Sequence, residues 1–466
     1  MQYYLAIDIG ASSGRHILGH VENGKMVLEE MYRFDNNLIT KNGHLCWDTQ
    51  QLFTAIVNGM KACKEAGKIP ATMGIDTWAV DFVLLDKADC VLGDTVAYRD
   101  KRTDGMDAVA ERLVPAAELY AKTGIQKQPF NTLYQLLALQ KEAPLLLESA
   151  ENLLMIPDYF NFLLTGVKKQ EYTNATTTNL VNARTNTWDA ALLTAYGLPQ
   201  KIFGALCLPG TAVGALTPEI QRQAGFNCTV ILPATHDTGS AFMAVPARDD
   251  SAIYISSGTW SLIGVENSVP VTTEESRRAN FSNEGGYAYR YRYLKNIMGL
   301  WMIQSIRRNL DKKYSFAELE QFAREAGDFA SLVDVNDARF LAPENMIDAV
   351  KAGCAAAGQP VPQSLGETMQ CVYQSLAKSY AAAINELQSI TKKQYTSINI
   401  VGGGSKDGYL NELTVKTTGL PVYAGPTEGT ALGNLMAQML AAGEYPELQT
   451  ARNAIKQSFK IKEITL

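Results

Sequence analysis

The first residues of the chain combine a carboxylate with a turn of small side chains. Tyr3–Ile9 has the character of a β-strand and carries Asp8 near its C-terminal end. The residues that follow are Gly10, Ala11, Ser12, Ser13, Gly14 and Arg15. A Gly/Ser turn exposes backbone N–H groups and hydroxyls that can bind phosphate, and a carboxylate beside it can hold Mg²⁺ through water. An ordinary β-hairpin has the same pattern, so these residues alone leave both interpretations open.

A further carboxylate lies in a loop with hydroxyl and imidazole side chains. Thr235, His236, Asp237 and Thr238 follow an apolar segment. A carboxylate in such a loop could act as a general base that accepts the proton of a substrate hydroxyl. Asp and Thr are also favoured as helix N-caps, and residues 240–245 have helical character. The local sequence by itself favours the cap.

An aromatic residue between two carboxylates marks a third segment. Trp78 stands between Asp76 and Asp81 in the sequence GIDTWAVDF. Aromatic faces can stack on the C–H surface of a sugar, and carboxylates accept hydrogen bonds from its hydroxyls. The segment could therefore form one wall of a carbohydrate site. A core tryptophan with two carboxylates in turns explains the pattern equally well.

Two glycine-containing segments superficially match nucleotide-binding motifs. Residues 19–26 have the Walker spacing GxxxxGK, but Met26 occupies the position of the required Ser or Thr, and Asn23-Gly24 favours a hairpin turn. Residues 402–408 fail the GxGxxG spacing, because Asp407 stands in place of the last glycine. What remains there is a strand, three glycines and a helix N-terminus, which would let a nucleotide approach backbone N–H groups.

Length and composition limit the class of protein. A chain of 466 residues exceeds what one hydrophobic core usually organises, and its net charge of −6 argues against a broad surface for nucleic acid or membrane lipid. No apolar run reaches the length of a transmembrane helix, and Asp8 interrupts the N-terminal apolar stretch, so we expect a cytoplasmic protein. Seven cysteines without metal-ligand spacing predict neither a disulfide framework nor a zinc site. Cys354 and Cys371 are expected to be reduced, buried thiols.

Strand-like and helix-like segments alternate along the chain, which predicts an α/β fold. Extended segments are predicted at Tyr3–Ile9, in 16–32 on both sides of Asn23-Gly24, in 72–85, 225–234, 253–255 and 262–265, and at Ser397–Val401. Helices are predicted at 115–122, 133–142, 153–164, 365–389, 409–418 and 428–442. A strand followed by a Gly/Ser turn opens each half of the chain. We therefore expect two related domains, residues 1–243 and 252–466, with the boundary at 245–250.

Taken in order, these segments resemble those of the FGGY carbohydrate kinases of the actin-like ATPase superfamily. The matching segments are AIDIGASSGR, GIDTWAVDF, PFNTLYQL, IPDYFNFLLTG, YTNATTTNLVN, ATHDTGSA, SSGTWSLIG, NEGG, KNIMGLW, IVGGGSKDGYLNEL and AGPTEGTALGN. They span nearly the whole chain. The resemblance implies two actin-like (ribonuclease H-like) domains, each a mixed sheet flanked by helices, with a cleft between them. The first domain would hold mostly the sugar and the second mostly the nucleotide.

The resemblance also implies roles for individual residues. Asp237 corresponds to the catalytic base and, with Ala79, His236, Thr238 and Asn296, to the substrate contacts. The implied ATP contacts are Ala11, Ser12, Ser13, Gly14, Arg15, Thr259, Gln304 and Gly402. Asp8 corresponds to the carboxylate that helps to hold Mg²⁺. Ala79 departs from the family pattern, which has Gly there; a contact made by the backbone should tolerate the methyl group.

The activity implied by the resemblance is transfer of a phosphoryl group from ATP to a sugar hydroxyl. The segment PFNTLYQL favours the branch of the family that phosphorylates L-rhamnulose at its 1-hydroxyl during L-rhamnose degradation. The expected partners are therefore a small sugar and ATP, with no nucleic acid and no membrane. The alternatives are a kinase for a related ketose such as fuculose or xylulose, a catalytically silent sugar-binding relative, and an actin-like or chaperone-like ATPase that needs no sugar. Intact Asp8 and Asp237 argue against the silent relative.

Overall fold

The computed structural model describes residues 1–247, 249–327 and 329–466, and it confirms the predicted α/β class. Its strands are β1 (Tyr3–Ile9), β2 (Ser13–Glu22), β3 (Lys25–Asp35), β4 (Leu38–Lys41), β5 (His44–Trp47), β6 (Pro70–Thr77), β7 (Phe82–Leu85), β8 (Val91–Leu92), β9 (Asn152–Met155), β10 (Gln170–Glu171), β11 (Val181–Asn182), β12 (Thr187–Trp188), β13 (Leu206–Cys207), β14 (Ala212–Ala215), β15 (Thr229–Ile231), β16 (Ala252–Ser257), β17 (Trp260–Asn267), β18 (Ser282–Gly285), β19 (Tyr291–Met298), β20 (Ser397–Val401), β21 (Val422–Ala424) and β22 (Lys462–Ile464).

The α-helices are α1 (Thr49–Glu65), α2 (Met106–Leu113), α3 (Ala116–Thr123), α4 (Thr132–Glu142), α5 (Pro144–Ser149), α6 (Ile156–Thr165), α7 (Tyr172–Thr176), α8 (Ala190–Ala195), α9 (Pro218–Ala224), α10 (Asp237–Met243), α11 (Glu274–Arg278), α12 (Trp301–Asn309), α13 (Phe316–Glu325), α14 (Met346–Ala356), α15 (Leu365–Thr391), α16 (Gly408–Thr418), α17 (Gly429–Ala441) and α18 (Leu448–Ser458). Among the described residues, no helix is both long and apolar enough to span a membrane.

The chain packs as two compact units, neither of which is continuous in sequence. The first unit comprises Met1–Ala244, Glu266–Tyr293 and Thr430–Ser458. The second unit comprises Val245–Val265, Leu294–Gly429 and Phe459–Leu466. The predicted boundary at 245–250 includes Arg248, which lies outside the described residues, and the domain limits of 243 and 252 stay a prediction.

The first unit is built on a six-stranded sheet in the order β14-β15-β6-β1-β2-β3. The central strand β1 pairs antiparallel with β2 and parallel with β6. Its apolar residues Leu5, Ile7 and Ile9 are fully buried and share a core with α1. Because side chains alternate along a strand, Asp8 leaves the opposite face of the sheet. That face is covered by α17, whose Gln438 donates to the carbonyl oxygen of Leu5.

The sheets of the two units share one pattern of parallel and antiparallel strand pairing. In the second unit, β16 pairs antiparallel with β17 and parallel with β20, β20 pairs parallel with β21, and β21 pairs antiparallel with β22. The first unit has the same pattern: β1 pairs antiparallel with β2 and parallel with β6, β6 pairs parallel with β15, and β15 pairs antiparallel with β14. The expectation that the two halves are related, each opened by a hairpin, is therefore confirmed at the level of topology.

Local turn signals predicted the hairpins correctly. Asn23 and Gly24 have φ values of 50° and 75° and join β2 to β3. Two consecutive left-handed residues give the turn whose twist matches that of the paired strands. The Walker-like spacing of residues 19–26 is thus part of a hairpin, which confirms its rejection as a phosphate loop.

Three predicted elements differ from the structure. Residues 153–155 belong to β9, which pairs with β7, and the helix begins only at Ile156. Helical and extended structure cannot be separated by periodicity in such a short, fully apolar run. The strand predicted in 225–234 is limited to β15. Helix 428–442 was predicted as the last one, but α18 follows it.

A glycine at position 433 lets α17 pack directly on the backbone of α10. A Cβ at Gly433 would overlap the carbonyl oxygen of Ser240. We expect Gly433→Ala to lower the free energy of unfolding by about 1–3 kcal/mol, the usual cost of overfilling a packed core, and to lower the melting temperature measured by calorimetry. Gly408→Ala is the control, because the nearest atom to its added Cβ is 3.9 Å away. An unchanged melting temperature for Gly433→Ala would contradict this packing.

Candidate active site

Two carboxylates lie side by side at the ends of neighbouring parallel strands. Asp8 of β1 and Asp76 of β6 are register partners, so their side chains leave the same face of the sheet. Asn434 of α17 donates to Oδ2 of Asp76 at 2.6 Å and to the carbonyl oxygen of Gly74 at 3.1 Å. Asp76 is completely buried. Burial first, and then the charge of Asp8, raises the pKa of Asp76 well above its usual range, which favours the neutral acid.

Asp237 is brought to the same end of β6 by the segment after β15. Thr77, the last residue of β6, forms a parallel bridge with His236, and its N–H donates to the carbonyl oxygen of Thr235 at 2.9 Å. Asp237 then begins α10 with a half-buried side chain. Burial is the main cause that raises the pKa of Asp237; the charge of Asp8 adds to the rise and His236 opposes it. The carboxylate is therefore a stronger base than an exposed aspartate.

The interpretation of Asp237 as a helix cap, which the local sequence favours, is wrong. The N-cap of α10 is His236, whose side chain makes no capping hydrogen bond. Oδ1 of Asp237 accepts hydrogen bonds from its neighbour Thr238, from the backbone N–H at 2.5 Å and from Oγ1 at 3.0 Å, and it lies 3.3 Å from Nε2 of His236. A capping side chain accepts from the N–H groups two or three residues further on, so Asp237 does not act as one.

A buried glutamate that the sequence did not reveal holds the segment before Asp237. Glu171 accepts hydrogen bonds from N–H and Oγ1 of Thr235 at 3.2 and 2.7 Å. It also accepts from N–H and Oγ1 of Thr173 at 2.8 and 2.6 Å and from N–H of Asn174 at 3.1 Å. A carboxylate with five donors is well compensated for its burial. Its position just before the segment YTNATTTNLVN is a local capping signal, but nothing in the sequence links it to Thr235.

His236 lies in a charged surrounding that the sequence also did not reveal. Its Nδ1 is 3.1 Å from Nη2 of Arg292 and 3.3 Å from Oε2 of Glu284, and its Nε2 is 3.3 Å from Oδ1 of Asp237. Glu284 belongs to the segment NEGG, which the family resemblance includes, whereas Arg292 lies in none of the matched segments. The predicted substrate contacts His236 and Thr238 are thus next to the predicted base.

The predicted phosphate turn is the tip of the β1–β2 hairpin. The N–H of Gly10 donates to the carbonyl oxygen of Ser13 at 2.9 Å, and Ser12 is exposed at the tip. Gly14 lies under the ring of Phe34, where any Cβ would clash. Nη2 of Arg15 pairs with Oδ2 of Asp8 at 2.9 Å. Ala11 completes the turn, so the residues predicted for ATP and for Mg²⁺ adjoin one another here.

The segment around Trp78 is a core element with one accessible position. Trp78 is buried, its ring centroid is 4.1 Å from that of Trp47, and both indole N–H groups donate to Oδ2 of Asp81. Trp78 is therefore a core residue, as the alternative interpretation predicted, but the prediction that both carboxylates lie in turns is wrong, because Asp76 belongs to β6. Ala79, the predicted substrate contact, is partly exposed beside Val80, whose φ of 69° is unusual for a β-branched residue.

Four predicted site residues lie in the second unit. Thr259 is at the tip of the β16–β17 hairpin, and its carbonyl oxygen accepts from N–H of Trp301 at 3.2 Å. Gln304 lies in the first turn of the helix that begins there, α12. Gly402 follows β20 with a φ of 86°, and a Cβ there would be 2.8 Å from the carbonyl oxygen of Ser257. The structure thus brings Thr259, Gln304 and Gly402 to one end of this sheet, while Asn296 lies in β19.

The carboxylates of the first unit offer oxygen donors of the kind that Mg²⁺ prefers. Nε and Nη2 of Arg15 donate to Oδ2 of Asp8, and Oδ1 of Asp76 is buried without a hydrogen-bond partner among the described residues. Over the described ranges, no group of three or more His, Cys, Asp or Glu side chains is arranged as a metal site. Mg²⁺ in a phosphate site commonly uses only one or two carboxylates, because water and phosphate complete its coordination. The donor set therefore fits such an ion.

Comparison with known proteins agrees with this geometry. The models of the FGGY family of carbohydrate kinases match residues 3–244 for the N-terminal domain and residues 253–442 for the C-terminal domain. A rhamnulokinase from Halalkalibacterium halodurans is 53% identical over 99% of this chain and 98% of its own length. A rhamnulokinase from Bacillus subtilis is 43% identical over 99% of this chain and 95% of its own length.

Solved structures agree in fold. The ligand-bound xylulose kinase from Lactobacillus acidophilus aligns with a TM-score of 0.84 at 20% identity and covers 100% of this chain and 94% of its own. The gluconate kinase from the same species aligns with a TM-score of 0.83 at 19% identity and covers 100% of this chain and 93% of its own. The resemblance drawn from the sequence segments is confirmed, and this chain belongs to the FGGY family of carbohydrate kinases.

Proposed function

We propose that this protein transfers the γ-phosphoryl group of ATP to the 1-hydroxyl of L-rhamnulose. The observation that carries this proposal is the similarity, along almost the whole chain, to relatives named rhamnulokinase at 41–53% identity. The fold cannot select the sugar, because xylulose and gluconate kinases share it. Because the proposed reaction consumes ATP, we also propose that the protein acts in the cytoplasm.

In the proposed reaction, Asp237 accepts the proton of the attacking hydroxyl. Phosphoryl transfer depends on positioning and on charge stabilisation more than on covalent chemistry by the protein. Support comes from the place of Asp237 at the start of a helix, half-buried, with a raised pKa. His236 and Thr238, which flank it, and Ala79 would contact the sugar from the first unit. Asn296 would contact it from the second unit.

The phosphate chain would be bound by two hairpin tips. In the first unit the tip formed by residues 10–14 offers N–H groups and hydroxyls, and Arg15 adds a positive charge. In the second unit Thr259 lies at the corresponding tip, with Gln304 and Gly402 near it as nucleotide contacts. These assignments give residues 1–243 mainly the sugar and residues 252–466 mainly the nucleotide.

Asp8 is the residue that would hold Mg²⁺, with Asp76 beside it as its register partner. When bound, the ion would neutralise charge on the phosphate oxygens. Asp8 pairs with Arg15 in the present structure. The same arginine thus orients the carboxylate.

A panel of acceptors tests the substrate. ADP release measured with L-rhamnulose, L-fuculose, D-xylulose, glycerol and no sugar should show the highest kcat/KM for L-rhamnulose. Without sugar, ADP release should be close to background. A higher kcat/KM for another ketose would transfer the assignment to that sugar, and ATP turnover that is independent of sugar would refute the kinase.

The base is tested by Asp237→Asn. This change keeps the shape of the side chain and removes its basicity, so kcat should fall by about 10²–10⁴-fold while ATP binding and the melting temperature are retained. Asp348→Asn is a matched control, because Asp348 is an exposed aspartate in the first turn of α14. Turnover of Asp237→Asn equal to that of the control would exclude Asp237 as the base.

The pH dependence of kcat/KM reports the same group in the free enzyme. The base must be ionised, and burial raises the pKa of Asp237 above the ordinary 3.8. Activity should therefore be present above this raised pKa and be lost as the pH falls through it, with an acid limb at higher pH than for an ordinary aspartate. An acid limb at or below the ordinary value, measured at saturating Mg²⁺, would contradict this assignment.

A further inference from the structure

The predicted base is connected through His236 to a buried ion pair. We propose that Arg292 is a positioning residue for Asp237: it holds His236 in the tautomer whose Nε2–H faces the Asp237 carboxylate. Glu284 supports Arg292 in this role. The inference rests on the proposed function, because it takes Asp237 to be the base. It adds two residues, Arg292 and Glu284, to which neither the sequence nor the family comparison gave a role.

Arg292 is locked in place by three different partners. It lies near the start of β19, and its side chain is 1% exposed. Its Nε donates to the carbonyl oxygen of Gly285 at 2.9 Å, its Nη1 is 3.0 Å from Oε2 of Glu284, and its Nη2 is 3.1 Å from Nδ1 of His236. A buried guanidinium needs such compensation. Because its fork is planar and rigid, these contacts fix the direction of the N–H that faces His236.

The donor inventory then determines the tautomer of His236. A guanidinium has only N–H donors, so Nδ1 of His236 must accept in this contact. A neutral imidazole that accepts at Nδ1 carries its proton on Nε2. Nε2 is 3.3 Å from Oδ1 of Asp237, a long contact of the kind that tightens when substrate binds. The N–H would orient the carboxylate and leave the second oxygen, Oδ2, for the sugar hydroxyl.

Glu284 is an alternative partner for Nδ1 of His236 and would favour the other tautomer. Its Oε2 is 3.3 Å from Nδ1 of His236, so a proton on Nδ1 could be donated there. With Arg292 in place, that proton would face a guanidinium N–H at 3.1 Å. Without Arg292, Glu284 would draw the proton to Nδ1, and the lone pair of Nε2 would face the Asp237 carboxylate. This repulsion would turn the base away from its working position.

The first turn of α10 packs closely against the guanidinium group of Arg292. A Cβ at Gly239, the third residue of this helix, would be 3.6 Å from Cζ of Arg292 and 3.1 Å from Cβ of Ala234. The helix that begins at Asp237 therefore packs close to Arg292. Arg292 thus adjoins the base both through His236 and through the helix backbone.

The tautomer can be measured directly in the unmodified protein. The chain has only four histidines, so two-bond ¹H–¹⁵N correlation spectra can be assigned with single substitutions of His16, His20 and His44. We expect the His236 signals of free wild-type protein to show a protonated Nε2 and an unprotonated Nδ1. A proton on Nδ1, alone or together with one on Nε2, would overturn the proposal, whatever the enzyme phosphorylates.

Arg292→Lys tests the consequence for turnover. Lysine keeps the charge beside Glu284 but loses the rigid fork, so the Nε2–H tautomer should lose population. We expect kcat to fall by about 10–100-fold, the usual effect of a small misplacement of a reacting group, with the KM for ATP unchanged. Arg290→Lys is the matched control, because Arg290 precedes Arg292 by two residues and pairs with a different carboxylate, Glu266. A kcat within twofold of the control would overturn the proposal.

A second variant covers a failure of Arg292→Lys to fold. Arg292→Met combined with Glu284→Gln removes both charges, so no uncompensated ion stays buried. It should fold, show a mixture of His236 tautomers, and have the same reduced kcat. An unchanged wild-type tautomer in this double variant would overturn the inference. Failure of the proposed function is distinguished by wild-type protein that phosphorylates no sugar, or by full turnover of Asp237→Asn.

Discussion

The in-register pairing of β1 with β6 is the constraint on which the rest of the site depends. It fixes Asp8 beside Asp76. The bridge between Thr77 and His236 brings the next residue, Asp237, to the same end of β6. A shift of one residue in this pairing would send one carboxylate to the opposite face of the sheet. The buried apolar faces of both strands prevent such a shift, so the core of the first unit is what aligns the acids.

Burial of so many charged groups is unfavourable unless each is compensated. The chain uses a different solution for each carboxylate: Asp76 has a raised pKa and one amide partner, Glu171 has five donors, and Glu284 is paired with Arg292. These solutions leave Asp237 as the half-exposed acid of the cluster, with the charge of Asp8 to strengthen its basicity. The reactivity of Asp237 is therefore a product of its neighbours.

Elements with local signals were predictable from the sequence, and long-range contacts were not. The local patterns of β1 and of the turn at Asn23-Gly24 match the structure closely, because strand character and turn preference depend on residues that are close in sequence. The strand at 153–155 was missed because its apolar run has no period of its own. The cap interpretation of Asp237 failed because a bridge to Thr77, far away in sequence, sets the start of α10. Glu171 contacts Thr235 and Arg292 contacts His236 across more than 50 residues of sequence. Motif spacing does not predict contacts between residues so far apart.

The central claim is that the phosphoryl group passes directly from ATP to the sugar hydroxyl, with Asp237 acting as a base and not as a nucleophile. The stereochemical course at phosphorus tests it most directly, with ATP made chiral at the γ-phosphorus by oxygen isotopes and sulfur, and L-rhamnulose as the acceptor. A single direct transfer to the sugar hydroxyl predicts inversion of configuration in the sugar phosphate. Retention would require a phosphorylated enzyme intermediate, as a carboxylate nucleophile would form, and would contradict the account.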